Sequence, residues 1–391
     1  MNSLPSPHPL TPPRSEDDWV AWFRLLRSRR VGATTFHRLI SEHGSARDAL
    51  AALPEVARAA GVAHYAVFSE AMALAELDAG RLAGAVPIAF GTDAYPTLLA
   101  QLPDAPPVLW TLGDPTLLQR PRVAMVGARN ASSLGTRMAK RMAGELAEAG
   151  YVVVSGLARG VDTAAHLAAL SGGTIAVFAG GVDVVYPPEN ASLAQEIEER
   201  GLRLSEQPMG QQPTARHFPA RNRIISGLTQ AVVVIEAAAR SGSLITARTA
   251  LDQGREVMAV PGHPFDARAT GCNFLLRDGA TLVRNATDVI EVLEALRSDV
   301  VDNTGIDDTA PQAESAAPAA APVKPETAVG LRDIAALHQC ILDRLTPSPL
   351  AEDQLIRDLG VAAQDVSPAL INLELEGQIE RRPGGLLAKA C

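Results

Sequence analysis

Three observations predict an α/β protein with a Rossmann-like, doubly wound parallel sheet, preceded by a helical domain and followed by a winged-helix domain. The first is the stretch Arg122–Gly135, RVAMVGARNASSLG: a short apolar run, a glycine able to take backbone angles barred to other residues, then helical spacing. The second is the regular alternation of short apolar runs with helical patterns from Val123 to Val260, the signature of βα units. The third is a break in composition at Asp302–Val329, which includes APQAESAAPAAAPVKPE and has too little apolar surface to fold.

Residues 1–15 are rich in Pro and Ser and are expected to be disordered. Asp17–Leu26 and Thr34–His43 read as short amphipathic helices, separated by RSRRVGA and followed by a second glycine turn at His43-Gly44-Ser45. Helical spacing resumes over Pro54–Ala79, so residues 16–84 resemble a SAM-like or helix-hairpin-helix unit. Such turns either grip a DNA backbone through their amides or simply reverse the chain; Arg27, Arg29 and Arg30 keep the first reading open.

Val86-Pro87-Ile88 starts a strand and opens the domain expected over residues 85–298. From there to Arg120 the prolines stand too close for a long helix, and the segment is expected to wrap the sheet edge. Strands then follow at Val123, Val152–Ser155, Thr174–Ala179, Leu202–Ser205, Ala231–Ile235 and Glu256–Val260. Between them lie helices ending at Gly150 and spanning Asp162–Leu170, Ala191–Arg200, Pro219–Gly227 and Leu244–Gln253.

Doubly wound sheets bind ligands outside the carboxyl ends of their strands, so those loops are the ones to read for chemistry. They are GARNASS, SGLARGVD, AGGVDVVYPPEN, SEQPMGQQPTARHFPARNR and EAAARSGSLITAR. Six basic residues and no acid lie between Arg120 and Met142, and five arginines stand against the single acid Glu236 between Gln207 and Leu251. A net charge of −9 thus coexists with one cationic rim, which suits a polyanion better than a single phosphate.

The candidate ligands come from four of the loops. Gly127, Arg129 and Ser132 form the first turn, where free N–H groups near Ser132 and Ser133 would attract an anion. Gly127 and Gly135 stand eight apart, so the dinucleotide pattern G-x-G-x-x-G is incomplete and a purely structural turn is the alternative. Ser155, Gly156 and Arg159 follow the second strand. HFPARNR supplies Arg221 and Arg223, which with Arg129 are the leading phosphate ligands. It also supplies Asn222, to hold the loop or touch a base edge, and Phe218, to stack on a base or anchor the loop. Ser241, Gly242 and Ser243 open a helix whose N-terminus would cradle a phosphate. That turn loosely resembles the glycine-rich turn of nucleoside-monophosphate phosphoribohydrolases, but no catalytic Glu follows it.

The residues announce no reaction. His166 is either a base or a packed helical histidine, and Asp162 caps or charges its helix start. No Ser/His/Asp arrangement, nucleophile elbow or P-loop is visible, and Cys272, Cys340 and Cys391 have neither disulfide nor metal spacing. No catalytic residue, metal or cofactor is therefore expected. No apolar run approaches the roughly 18 residues of a membrane span and no signal sequence is evident, which makes the cytoplasm the expected location.

Seven segments together carry a resemblance to the DNA processing protein A (DprA/Smf) family. They are YPTLLAQLPDAPPVLWTLG, VAMVGARNASSLG, VVSGLARGVDTAAH, AGGVDVVYPPEN, FPARNRIISGL, EAAARSGSLITARTALDQGREVMAVPG and GCNFLLRDGA, in this order from about Ala85 to Leu293. The resemblance implies a cytoplasmic homodimer that binds incoming single-stranded DNA during natural transformation and helps load the RecA recombinase, without being an enzyme. Ala128 departs from it, standing where the family commonly has a serine. The rival on the same fold is a nucleotide-binding, phosphoribohydrolase-like enzyme.

Residues 299–330 read as a flexible linker and 331–391 as a winged helix: three helices, then two short strands about Pro383-Gly384-Gly385. The third helix, Asp365–Gly377, contains Asp365, Glu374 and Glu376 and no Lys or Arg, which favours protein docking or a structural role over DNA reading. DNA contact there would be limited to Arg381, Arg382 and Lys389.

Overall fold

Four helices lead the chain: α1 (Glu16–Arg27), α2 (Ala33–His43), α3 (Ala46–Ala59) and α4 (Glu70–Leu82). The computed structural model describes residues 11–62 and 64–304 and, towards the C-terminus, 350–351, 355, 370, 373, 379–382 and 386–389. Arg14 and Ser15, expected to be disordered, instead donate their backbone N–H groups to Asp18 Oδ2, and Ser15 completes a capping box on α1. The single helical stretch expected from Pro54 to Ala79 is two helices. Ser45 and Ser69 cap the starts of α3 and α4, and Pro54 lies inside α3. The apolar period carries across the intervening turn, which hides the break.

The helical domain is built into the sheet. Strands β1 (Val86–Ala89) and β2 (Val108–Gly113), with the short helix α5 (Thr97–Ala100) between them, supply Val108, Trp110 and Leu112 to the same core as Trp22, Phe23 and Phe36. Trp110 stacks on Phe23 at 5.4 Å and donates Nε1–H to Glu76 Oε1 at 3.0 Å, and the same oxygen pairs with Arg27 Nη2 at 2.8 Å. A Cβ at Gly80 would lie 2.4 Å from the Trp110 ring, so the helix approaches that strand as closely as only glycine allows. The helical segment thus packs directly on the sheet that follows it, and Met1–Asp307 forms one compact unit.

The elements that follow are β3 (Arg122–Val126), α6 (Ser133–Glu148), β4 (Val152–Ser155), α7 (Val161–Ala169), β5 (Thr174–Val177), α8 (Ala191–Arg200) and β6 (Leu202–Ser205). After them come α9 (His217–Gly227), β7 (Ala231–Val234), α10 (Gly242–Asp252), β8 (Glu256–Ala259), α11 (Thr270–Arg277), β9 (Thr281–Leu282) and α12 (Ala286–Thr304). The nine strands run β1-β2-β6-β5-β4-β3-β7-β8-β9. From β6 to β9 all pairs are parallel, as expected of a doubly wound sheet, whereas β1/β2 and β2/β6 are antiparallel. The strand expected at Val86 is β1, and the stretch after it, expected to wrap the edge, adds a second strand, β2, so that the sheet is mixed. The run VLWTLG is a buried strand whose flanking prolines masked it in the sequence.

Along β3, Val123 and Met125 face the core under α6 and α7, while Ala124 and Val126 face the core under α9 and α10, the alternation a two-sided sheet requires. The chain winds outward from β3 through β4, β5 and β6, then returns to place β7 on the other side of β3. The crevice at the carboxyl ends of β3 and β7 is the topological switch point.

Helix α12 continues past Ser298, where a linker was expected to begin. The second unit, residues 308–391, contains β10 (Leu350–Ala351), β11 (Ile379–Arg382) and β12 (Leu386–Lys389) in the order β10-β12-β11. β11 and β12 are the two short strands expected, paired antiparallel, and β10 adds a third strand to them; the connection at residues 383–385 lies outside the described residues. Most of the linker and, apart from residues 370 and 373, the acidic stretch Asp365–Gly377 lie outside the described residues.

Candidate functional site

Two helices begin at the switch point, and they differ. At α6, the Ser132 hydroxyl accepts from Gly135 N at 3.0 Å and donates to Glu236 Oε2 at 2.7 Å. The Ser132 N–H lies 3.1 Å from Glu236 Oε1 and 3.2 Å from Oε2. Glu236, from the end of β7, is 7% exposed. The amide expected to be open to an external anion at Ser132 is therefore occupied by the protein's own carboxylate, which complements the positive helix end. A Cβ on Gly135 would stand 2.0 Å from Glu236 Oε2, so Gly135→Ala is expected to force the carboxylate out of this seat and lower the melting temperature. An unchanged melting temperature would show the seat to be unimportant. Gly127 does not adopt positive φ; its missing Cβ instead makes room for Val161, which would otherwise approach to 2.6 Å.

The start of α10 is open. Ser241 is the N-cap, its hydroxyl 2.7 Å from that of Ser243, and it holds the Ser243 N–H only at 3.4 Å. A Cβ on the exposed Gly242 would meet nothing within 4 Å. A cleft of about 630 Å³ extends from here to the β3 turn, lined by Arg129, Phe218, Asn222, Arg240, Ser243 and Arg268 among others.

Beside the cleft, side chains from three loops form a cationic and aromatic cluster. The exposed Arg129 guanidinium lies 5.3 Å from the Phe218 ring centroid, and Phe218 in turn touches Tyr186 at 5.7 Å. Tyr186 is 49% exposed, and Arg159 stands at the same groove, 3.8 Å from Glu189. Tyr186 lies outside the arginine-rich loop that supplies Phe218 and so is not among the residues expected from the sequence; its own segment, AGGVDVVYPPEN, is another of the convergent loops and is the signal that points to it.

Beneath the cluster the predicted residues are structural or half-hidden. Arg221 is 6% exposed; its Nη1 donates to Val177 O at 2.8 Å, while its Nε is buried without a hydrogen-bond partner. Burial pushes its pKa down to about 10, so it remains charged at neutral pH. It packs flat on Gly156, where a Cβ would fall 1.6 Å from Nη1. Asp162 does not cap its own helix, whose N-cap is Gly160; Oδ2 accepts from Gly156 N at 3.1 Å and Ala158 N at 3.3 Å and thereby shapes the SGLARG loop. Ser155 is fully buried and donates to Met125 O at 2.6 Å, away from any ligand surface.

Arg223 is not brought into the cleft. It turns to the other side of α9, with Nη2 2.5 Å from Glu206 and Nε 3.4 Å from Asp104. Two carboxylates thus neutralise a side chain expected to bind phosphate.

His166 is fully buried, accepting the Leu157 N–H at Nε2 (3.3 Å) with Nδ1 2.8 Å from Thr174 Oγ1. Burial, reinforced by Arg221, pushes its pKa down to about 3. The unfolded chain takes up this proton below the ordinary value near 6.5 and the folded chain does not, so the contribution is fully present above pH 6.5 and is lost as the pH falls towards 3. The expected loss is at most about 1.4 kcal/mol per pH unit. The urea midpoint should fall further between pH 7 and pH 5 for wild type than for His166→Gln; equal falls would contradict the assignment.

Residues 87–294, which contain all of these groups, match the family model described as DNA recombination-mediator protein A. The chain belongs to this family. Two further models, the DprA-like N-terminal HHH domain and the DprA winged helix domain, match residues 16–79 and 311–385. Among DprA relatives, the DNA processing protein DprA of Streptococcus pneumoniae is 47% identical over 204 residues, 52% of this chain and 72% of that one. Protein Smf of Escherichia coli is 36% identical over 305 residues, 77% of each chain. A crystal structure of the Streptococcus pneumoniae DprA has 42% identity and a TM-score of 0.54, covering 57% of this chain and 77% of that chain. A Helicobacter pylori DprA structure, described for its single-stranded DNA binding mode, has 32% identity and a TM-score of 0.50 over 54% of this chain and 96% of that chain.

Among the described residues no helix is long and apolar enough to cross a membrane, and no group of three or more His, Cys, Asp or Glu is placed to hold a metal. As a DprA protein the chain is a DNA recombination mediator.

Proposed function

We propose that the switch-point cleft and the adjoining groove bind single-stranded DNA without strong sequence preference. On this reading the protein acts as a cytoplasmic homodimer that helps to load RecA on that DNA during natural transformation. The observation that carries the reading is the cluster of Arg129 over Phe218, with Tyr186 tilted against the same ring, at an exposed rim: a cation for the backbone beside rings for bases, the pairing single strands require. The two carboxylates at the cleft support binding over hydrolysis, since Asp162 and Glu236 are each held by two N–H or O–H donors, which leaves neither placed as a free acid or base.

Of the residues named from the sequence, Arg129, Arg159, Phe218 and Asn222 and the Ser241-Gly242-Ser243 turn remain the proposed direct ligands. Gly127, Ser132, Ser155, Gly156 and Arg221 are proposed to build the floor beneath them. A fluorescence titration should show tighter binding of a single-stranded 30-mer than of its duplex, with similar affinities for different sequences. Equal affinity for duplex, or no binding at all, would overturn the proposal. Light scattering should report a dimer, and RecA should assemble faster on single strands when the protein is present.

A further inference from the structure

We propose that the open N-terminus of α10 seats a nucleotide 5′-phosphomonoester, so that the cleft recognises the phosphorylated end of a single strand. The inference rests on the single-stranded DNA reading and adds an end preference to it. Both helices that start at the switch point direct a positive end into the crevice, but α6 is already neutralised by Glu236. Only α10 is open to an external anion, with Gly242 uncovered and the Ser241 and Ser243 hydroxyls held to each other. The floor of the same cleft carries Arg221, whose Nε is buried and unpartnered; a buried donor left unmade is costly unless a ligand completes it. Arg240 is exposed on the rim and Arg268 is 48% exposed, its other commitment a 3.9 Å approach to Glu236.

This donor set is rich for one internal phosphodiester, which has a single charge. A terminal monoester carries about −1.5 to −2 at neutral pH and three acceptor oxygens, and matches amide, hydroxyl and guanidinium donors converging from separate elements. The cleft volume of about 630 Å³ leaves room for the attached sugar and base towards Phe218.

The test is competition against a fluorescent 30-mer by two thymidine pentanucleotides that differ only in a 5′-phosphate or 5′-hydroxyl. The phosphorylated pentamer should compete on the order of tenfold better, the scale of one charge-assisted hydrogen bond. Gly242→Asp should abolish that difference by placing a carboxylate in the seat, as Glu236 does at α6. A Cβ there meets nothing within 4 Å and an acid in the first turn suits the helix, so the variant should melt like wild type. Arg240→Ala should reduce the difference. Equal competition by the two pentamers, or a preference that survives Gly242→Asp, overturns the inference while leaving single-strand binding intact. Failure of the 30-mer itself to bind overturns the parent reading instead. Thymidine monophosphate competing as well as the phosphorylated pentamer would assign the seat to free mononucleotides and overturn the strand-end assignment.

Discussion

Arg223→Ala is expected to destabilise the protein by about 3 kcal/mol, because it removes one partner of a largely buried ion pair and strands the other. Glu206 lies 2.5 Å from Arg223, both side chains are under one-fifth exposed, and Arg223 also faces Asp104. Burial raises the Glu206 pKa above its ordinary value, while Arg223 lowers it. Without Arg223 the pKa rises further. A carboxyl whose folded pKa is raised costs stability at neutral pH, and that cost is relieved as the pH falls through the folded pKa. The gap between Arg223→Ala and wild type should therefore narrow on acidification from pH 7 to pH 5, as read by urea midpoints. A constant gap would mean that the loss is one of packing rather than of an unpaired charge. Any weakening of DNA binding by this substitution should track the unfolded fraction.

Phe218→Ala is expected to weaken single-stranded DNA binding by about 1–3 kcal/mol, the usual range for loss of one aromatic stacking surface, with little change in the salt dependence. Arg129→Ala should behave differently. Losing one phosphate contact lowers the log–log salt slope by about 0.7, so its defect should shrink as salt rises. The two side chains touch at 5.3 Å, so their effects should not add, and the double variant should lose less than the sum. An unchanged salt slope in Arg129→Ala would remove it from the phosphate contacts. Unchanged affinity in Phe218→Ala would reassign the ring to anchoring α9 against Tyr186.

The parallel strands β3 to β8 were legible because they are short, largely aliphatic runs alternating with helical patterns and bounded by glycine or polar turns, as at VAMVG and VVVSG, whereas the two-residue β9 was not expected. The edge was not. β2 lies among prolines that also fit an irregular wrap, and its antiparallel pairing with β1 and β6 and the seating of Trp110 on Phe23 show it to be a strand. Likewise, Ser45 and Ser69 mark the true helix starts in the first domain, but the apolar period alone runs past them.

The sequence by itself determined the family, the order of the βα units, and the convergence of five Gly-, Ser- and Arg-rich loops on one crevice, since local periodicity and connection handedness restrict a doubly wound chain to few arrangements. It did not determine which arginines reach solvent. Arg221 and Arg223 are two residues apart on α9, yet a helix turns about 200° over that interval, so one sinks against Gly156 and the other pairs with Glu206. Which helix N-terminus is open was equally beyond it. That depends on Glu236, 104 residues from Ser132 in sequence, reaching across from β7 to fill α6 and leave α10 empty. Charge pattern is local, whereas burial and pairing are decided by distant segments meeting, and only the tertiary structure brings them together.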